Sequence, residues 1–534
     1  MSASLFHRSA HIAAPHPSTG AEPPRAGLPP IVTTLSLALL GIVLAVVLFA
    51  ALRSPLKDDI AWLLYVARRW MAGRELYVDL VEVNPPLIVW ISAVPIWLSR
   101  WLGLQIQFVT VTGFIAVVLG CAWWTAGLMR QQGGMFADRV PIFAIIAIVL
   151  LILPAGELGQ REHLLIAATL PYLAIYAGEV VGVRPSTRTA LAAGVIAAIG
   201  CALKPRYVGV FAVLEFIALF RGLRPWRAMP LAAAATTLAY AGLVAVFCPA
   251  YLGRAVPLAL ALYGGTDTTM YHLFVESAVL LGGELVMIGL LVLRWRHLPE
   301  RWTLLTLMVF AVISSVICFL DGKDWYYHRI PATVATVLAL LCWAGSALIN
   351  RHAAAHRARL PLAVAALVAV ILFFGSLQRL EPQVAQAVEP QSTTVARLEE
   401  IVRREHARTY IAFSEWIALG FPVVNNTGVT WASRFDSMWA LKGELWRARF
   451  DPHASKAWPV ARWVVHDFIA GCPDIAVVDT REGTNYIAVL SAADPAFARA
   501  WSRYRQIDAF DGLTVYRRGK AGCIDPWVAA STAR

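Results

Sequence analysis

From Ile31 to Leu52 the chain runs 22 residues without a charge before Arg53 closes the stretch. At a rise of about 1.5 Å per residue, an apolar helix of that length spans the roughly 30 Å hydrocarbon core of a bilayer. It is also longer than the roughly 7–15-residue core of a signal peptide. Ten further apolar runs follow, near 107–129, 140–154, 163–181, 190–203, 207–220, 228–248, 276–293, 302–320, 331–349 and 360–377. Short polar turns separate them, so the chain is constrained to a bundle of membrane helices. Composition agrees, at 58% hydrophobic and 15% charged residues with a mean hydropathy of +0.62. Soluble domains run near 45–50% apolar and about 25% charged, and a soluble fold of this length could not hide so much apolar surface. An ordinary soluble enzyme, a disordered protein and a fibrous repeat are all excluded.

Charge sets the expected topology. A run from Leu87 to Leu102 contains Pro95 and Arg100 and is broken by tryptophans, as in a helix lying in the interface. With that run on the surface and the N-terminus inside, the cytoplasmic loops are 130–139, 182–189, 221–227, 294–301 and 350–359. Together these loops hold thirteen Lys or Arg against Asp138 and Glu300. The opposite side then holds Asp58, Asp59, Asp79, Glu82, Glu157, Glu162, Asp267, Asp321 and Asp324. Cationic loops stay on the cytoplasmic side, so eleven spans are expected. The same rule accounts for the net charge of +12 and a pI near 9.5 without nucleic acid. Residues 1–30, rich in Pro, Ser, Ala and His, read as a disordered cytoplasmic tail.

The expected fold is therefore mostly α. A transmembrane domain occupies residues 31–377, with a first outer loop at 53–106, and a soluble α/β domain occupies 378–534 on the outer, periplasmic face of a cell membrane. In that last segment β-type runs at Thr409–Phe413, Ile475–Val478 and Leu513–Tyr516 alternate with helical stretches. Cys121, Cys201, Cys248, Cys318 and Cys342 lie in apolar runs and read as small buried hydrophobes. Cys472 and Cys523 fall in the polar domain, where an oxidising compartment would allow a disulfide.

The most informative stretch is LKDDIAWLLYVARRWMAGRELYVDLVEVNPPL, residues 56–87. Asp58 and Asp59 follow the first span directly. Ile60, Leu63, Leu64 and Ala67 then form one helical stripe, Arg68 and Arg69 snorkel, and Gly73 ends the helix. Two carboxylates at the start of an interfacial helix stand where a lipid headgroup would sit. The competing structural reading makes Asp58 a helix cap.

This acidic pair, the amphipathic helix ending in Gly73, then Tyr77, Asp79 and the Pro85-Pro86-Leu87 turn resemble membrane glycosyltransferases of the GT-C superfamily. The nearest branch contains the protein O-mannosyltransferases and the lipid A aminoarabinose transferases. The latter carry a lysine just before the double proline, where this chain has Asn84. The resemblance implies transfer of a sugar from a polyprenyl-phosphate donor to a hydroxyl of an envelope glycan, lipid or protein acceptor. It places the catalytic acid at Asp58, with Asp59 where many members have Glu. It also implies a second acid in the next outer loop, Gly159-Gln160-Arg161-Glu162-His163, with Glu162 the first candidate and Glu157 the second.

The chemistry fits these residue types. An attacking hydroxyl must lose its proton to a carboxylate within hydrogen-bond reach, and one direct displacement with one base inverts the anomeric carbon. The leaving phosphate needs cations in a low-dielectric setting. The outer-facing candidates are Lys204, Arg206, Lys323, His328 and Arg329, the competing readings being that Lys323 pairs with Asp321 or Asp324 and that Arg206 anchors to headgroups. Trp325, Tyr326 and Tyr327 read as interfacial belt residues. Glu162 and His163 beside Asp58 could hold a divalent metal ion, but no ligand spacing supports one, so no metal site or cofactor is assigned. The rival reading is a transporter or flippase of lipid-linked saccharides, which internal repeats and broken helices would mark. The chain has no such repeat.

Overall fold

The computed structural model describes residues 30–349, 359–451, 453–519 and 523. The expected N-terminal tail and most of the basic loop at 350–359 lie outside them. In chain order the helices are α1 (Pro30–Arg53), α2 (Asp58–Met71), α3 (Pro86–Leu102), α4 (Ile106–Arg130), α5 (Arg139–Ile152), α6 (Arg161–Val180) and α7 (Thr187–Leu203). They continue with α8 (Val208–Phe220), α9 (Ala228–Phe247), α10 (Val256–Leu262), α11 (Met270–Arg294), α12 (Arg301–Asp321), α13 (Ile330–Ile349) and α14 (Arg359–Val388).

Each of the eleven apolar runs lies in one of these helices. Among the described residues eight are long and apolar enough to cross a membrane, whereas α5, α7 and α8 have only 14, 17 and 13 residues. The chain is a multi-pass membrane protein. Its surface follows the solvent it meets: α1 leaves Leu35, Leu39, Ile42, Val46 and Phe49 exposed while Val43, Val47 and Ala50 face inward. Helix α6 is the axis of the bundle, with every residue from Arg161 to Gly178 buried. Helix α7 packs closely on α9 because Gly194 has no side chain; a Cβ there would stand 2.3 Å from the Met229 carbonyl oxygen.

The boundary expected at 377/378 falls inside α14, which continues to Val388. Beyond it come α15 (Thr394–Arg404), α16 (Val423–Thr427), α17 (Trp439–Arg447) and a five-stranded sheet. Its strands are β1 (Thr409–Phe413), β2 (Thr430–Trp431), β3 (Ile475–Asp479), β4 (Tyr504–Phe510) and β5 (Leu513–Arg518), in the order β2-β1-β3-β5-β4. The first three are parallel and the β3–β5–β4 half is antiparallel. Strand β3 is buried at every position, as a central strand covered on both faces must be. The three strands expected from sequence are β1, β3 and β5, and Cys472 and Cys523 are joined by a disulfide.

The sheet domain and the first loop share one apolar core. Phe421 packs between Trp62 and Tyr65, with ring centroids 5.0 and 5.1 Å away. The Val81 amide donates to the Arg434 carbonyl at 2.8 Å, and Asn425 Nδ2 donates to the Ala61 carbonyl at 2.7 Å. On the far side the segment after α10 meets α17 so closely that a Cβ on Gly265 would stand 2.6 Å from the Gly443 Cα. These contacts fix a wall of the sheet domain against one end of the helix bundle.

Candidate active site

Where the three parts meet there is a cavity of about 300 Å³. One wall is the start of α2, with Lys57, Asp58, Asp59 and Trp62. A second comes from Glu82 and Asn84, a third from Glu157, Arg161, Tyr263 and the Trp325–Tyr327 segment. The sheet domain closes the last side with Glu415, Trp416, Asp436, Ser437 and Trp439.

Helix α2 begins at Asp58 for reasons visible in its first turn. Two acids stand at the positive end of the helix dipole and Arg68 and Arg69 at its other end. Its expected stripe of Ile60, Leu63, Leu64 and Ala67 is buried, together with Trp62, Tyr65 and Val66. The position before the helix is Lys57, with no side-chain cap, so Asp58 is not a cap in the ordinary sense. Its Oδ1 accepts only the adjacent Asp59 amide, at 2.9 Å, and lies 3.4 Å from Lys57 Nζ. Lys57 also reaches Glu157 at 3.0 Å. Gln160 Nε2 donates to Asp59 Oδ2 at 2.8 Å and to Glu157 Oε2 at 3.3 Å. Asp58, Asp59 and Glu157 thus form one connected acidic wall.

Burial shifts these groups. It pushes the Asp59 carboxyl up, and the charge of Asp58 adds to the effect. It raises Glu157 as well, against the pull of Lys57. For Lys57 the two carboxylates outweigh burial and keep the ammonium charged. Glu82, 2% exposed, is raised by burial although it accepts Trp62 Nε1 at 2.5 Å and the Asn84 amide at 2.7 Å. On the opposite side burial, with Glu82 and Asp59 nearby, pushes Asp436 up to about 8.

Among the cations, Arg161 lines the cavity. It is 4% exposed, stands 5.8 Å above the Tyr327 ring, and its Nε has no hydrogen-bond partner. The remaining expected residues sit elsewhere. Glu162, 1% exposed, points away from the cavity to Lys204 Nζ at 2.7 Å. Arg206 and His328 both pair with Asp321, the latter at 2.9 Å. Arg329 donates to the Glu276 and Asp324 carbonyls at 2.5 and 3.0 Å. None of these five lines the cavity. Of the two acids, Glu157 stands in the wall and Glu162 behind it.

Two further expectations change. Lys323 pairs with Asp267 and donates to the Tyr263 carbonyl at 2.5 Å, rather than pairing with Asp321 or Asp324. Trp325, Tyr326 and Tyr327 line the cavity and are not a belt. His163 is 0% exposed with both ring nitrogens engaged: Nδ1 accepts the Gly159 amide at 3.1 Å and Nε2 faces the Leu150 carbonyl at 2.8 Å. It has no lone pair left for a metal, and no group of three or more His, Cys, Asp or Glu with metal-binding geometry occurs among the described residues.

Sequence reasoning missed Arg161, Asp436, Ser437 and Trp439. Arg161 was visible inside the Gly159–His163 motif, but nothing in that motif marks which of its residues faces inward. The sheet-domain residues carry no local signal at all.

The architecture has a solved counterpart. The crystal structure of ArnT from Cupriavidus metallidurans bound to undecaprenyl phosphate aligns over 91% of this chain and 98% of its own, with a TM-score of 0.50 and 13% identity. No family model and no curated protein sequence matches. The chain therefore shares the fold of that structure, a helical membrane domain followed by a small sheet domain.

Proposed function

We propose that this protein is a membrane glycosyltransferase that moves a sugar from a polyprenyl-phosphate carrier to a hydroxyl of a cell-envelope glycan, lipid or protein. The observation that carries the reading is that the Asp58–Asp59 pair and the buried Arg161 share one cavity at the end of the helix bundle. Such a site joins a base for the attacking hydroxyl to a cation for the departing phosphate. The fold shared with a protein solved with undecaprenyl phosphate supports the choice of carrier.

In this reading Asp58 takes the proton of the acceptor hydroxyl as it attacks the anomeric carbon. Asp59 and Glu157, tied together by Gln160, hold the acceptor and the base in place. The bond to the carrier phosphate breaks in the same displacement, so the configuration inverts. Arg161 and Lys57 face the charge that develops on the phosphate. The buried Glu162–Lys204 pair lies behind Arg161, and its carboxylate faces the guanidinium. The charge distribution of the loops supports an outer-face position for this end of the bundle.

The test is turnover. Purified protein in nanodiscs is given a panel of undecaprenyl-phosphate pentoses and hexoses with envelope acceptors, and release of undecaprenyl phosphate is followed. The reading expects one carrier to be consumed with formation of an inverted glycoside. Consumption of none, by folded protein, would contradict it.

A further inference from the structure

Resting on that transferase reading, we propose that the sheet domain supplies the hydroxyl-recognising side of the donor-sugar subsite through Asp436 and Ser437. The segment Arg434–Trp439, between β2 and α17, is held from several directions. Arg434 forks onto Asp467 with contacts of 2.7–3.1 Å. Its carbonyl accepts Val81 of the first loop, the Phe435 carbonyl accepts Trp431 Nε1 at 2.6 Å, and the Met438 amide donates to Ser414 at 2.8 Å. A loop pinned in this way presents its side chains rigidly.

What it presents is polar and incompletely satisfied. Ser437 is 3% exposed and lines the cavity, yet its Oγ has no hydrogen-bond partner. Asp436 accepts Trp439 Nε1 at 2.8 Å and faces Glu82 and Asp59 across the cavity. An orphaned buried hydroxyl and a carboxyl set among other carboxyls both destabilise the empty fold. A ligand bearing hydroxyl groups would satisfy both. Burial leaves Asp436 protonated at neutral pH, so it can donate to a sugar oxygen as well as accept.

The rings beside them suit a pyranose or furanose. Tyr263 stands between Trp325 and Trp439, at 5.9 and 5.1 Å between centroids, and all three line the cavity. The occupant is the donor's sugar rather than the acceptor because that ring is covalently joined to the phosphate. With the phosphate at Arg161 and the anomeric carbon within reach of Asp58, the ring must lie in the space that Asp436 and Ser437 close.

The experiment compares two lipids on the wild type, Asp436→Leu and Ser437→Ala. They are bare undecaprenyl phosphate and the sugar-loaded carrier that the panel above selects. Each substitution should weaken binding of the loaded carrier about tenfold, a lost hydrogen bond in a buried site. Binding of the bare carrier and the acceptor KM should not move. Wild type should also discriminate against a carrier whose sugar lacks one hydroxyl, and Ser437→Ala or Asp436→Leu should lose that preference. Ser437→Ala removes an unpaired hydroxyl, so folding is not at risk. Unchanged binding of the loaded carrier in both variants, or a change confined to the acceptor KM, would overturn the assignment. A wild type that binds neither lipid would overturn the transferase reading and this assignment with it.

Discussion

Gln160 donates to Asp59 at 2.8 Å and so joins the residue preceding α6 to the first turn of α2, which lies 101 positions earlier in the chain. Gln160 is 1% exposed and sits where the bundle's most buried helix begins. The bond favours the ionised form of Asp59 in a place where burial and Asp58 oppose it. Gln160→Leu should therefore raise the Asp59 pKa further and shift the acidic limb of the pH–rate profile upward. The accompanying fall in kcat should be about tenfold, since one buried hydrogen bond to a charged group is lost. A profile identical to wild type would show that Gln160 has only a structural role.

Glu162 and Lys204 test the site from behind. Glu162 is buried and Lys204 nearly so, and they pair at 2.7 Å. Lys204→Ala removes the cation that Glu162 contacts, leaving only the Arg161 side facing the buried carboxylate, and should destabilise the protein by about 3 kcal/mol. The double variant Lys204→Met with Glu162→Gln should recover most of that loss. Thermal unfolding in detergent measures both. A Lys204→Ala variant that melts like wild type and loses only donor affinity would return Lys204 to the phosphate.

Asp436 gives stability an unusual pH dependence. Its carboxyl titrates near 8 in the fold and near about 3.9 in an unfolded chain. Between those values the native state holds a proton that the unfolded chain has released, so stability falls as pH rises through the window. Asp436→Asn removes this penalty and still accepts from Trp439. Its melting temperature relative to wild type should climb from about pH 5 to about pH 8 and level off above. A difference independent of pH would contradict the shift.

The Cys472–Cys523 bridge joins the turn after residues 460–471 to the segment beyond β5. Thiol labelling of denatured protein should modify both cysteines only after reduction. Full labelling without reductant would mean the bridge is not formed.

Much of this was legible in the sequence, and the remainder was hidden for identifiable reasons. Apolar runs and loop charges report solvent, so each apolar run could be placed on a helix, although α11 and α14 extend well beyond theirs. The α2 stripe of Ile60, Leu63, Leu64 and Ala67 could be read from its helical period. The partners of Lys204 and Arg206 could not, because a cation beside a membrane looks the same whether it faces a ligand or a buried carboxylate. Arg161 and Glu162 are adjacent in sequence but project about 100° apart on a helix, so which one enters the cavity depends on how α6 is rotated in the bundle. Asp436 and Ser437 reach the site through the docking of the sheet domain on the first loop, as where the Val81 amide bonds the Arg434 carbonyl, between segments more than 350 residues apart.

The central claim is that the carboxylate of Asp58 removes the acceptor's proton. Asp58→Asn keeps the side chain's size and can still accept the Asp59 amide, so melting temperature and yield should stay close to wild type. With the carrier selected by the panel and saturating acceptor, sugar transfer should fall roughly 10²–10⁴-fold. Transfer at a near wild-type rate by folded Asp58→Asn would remove Asp58 from the mechanism.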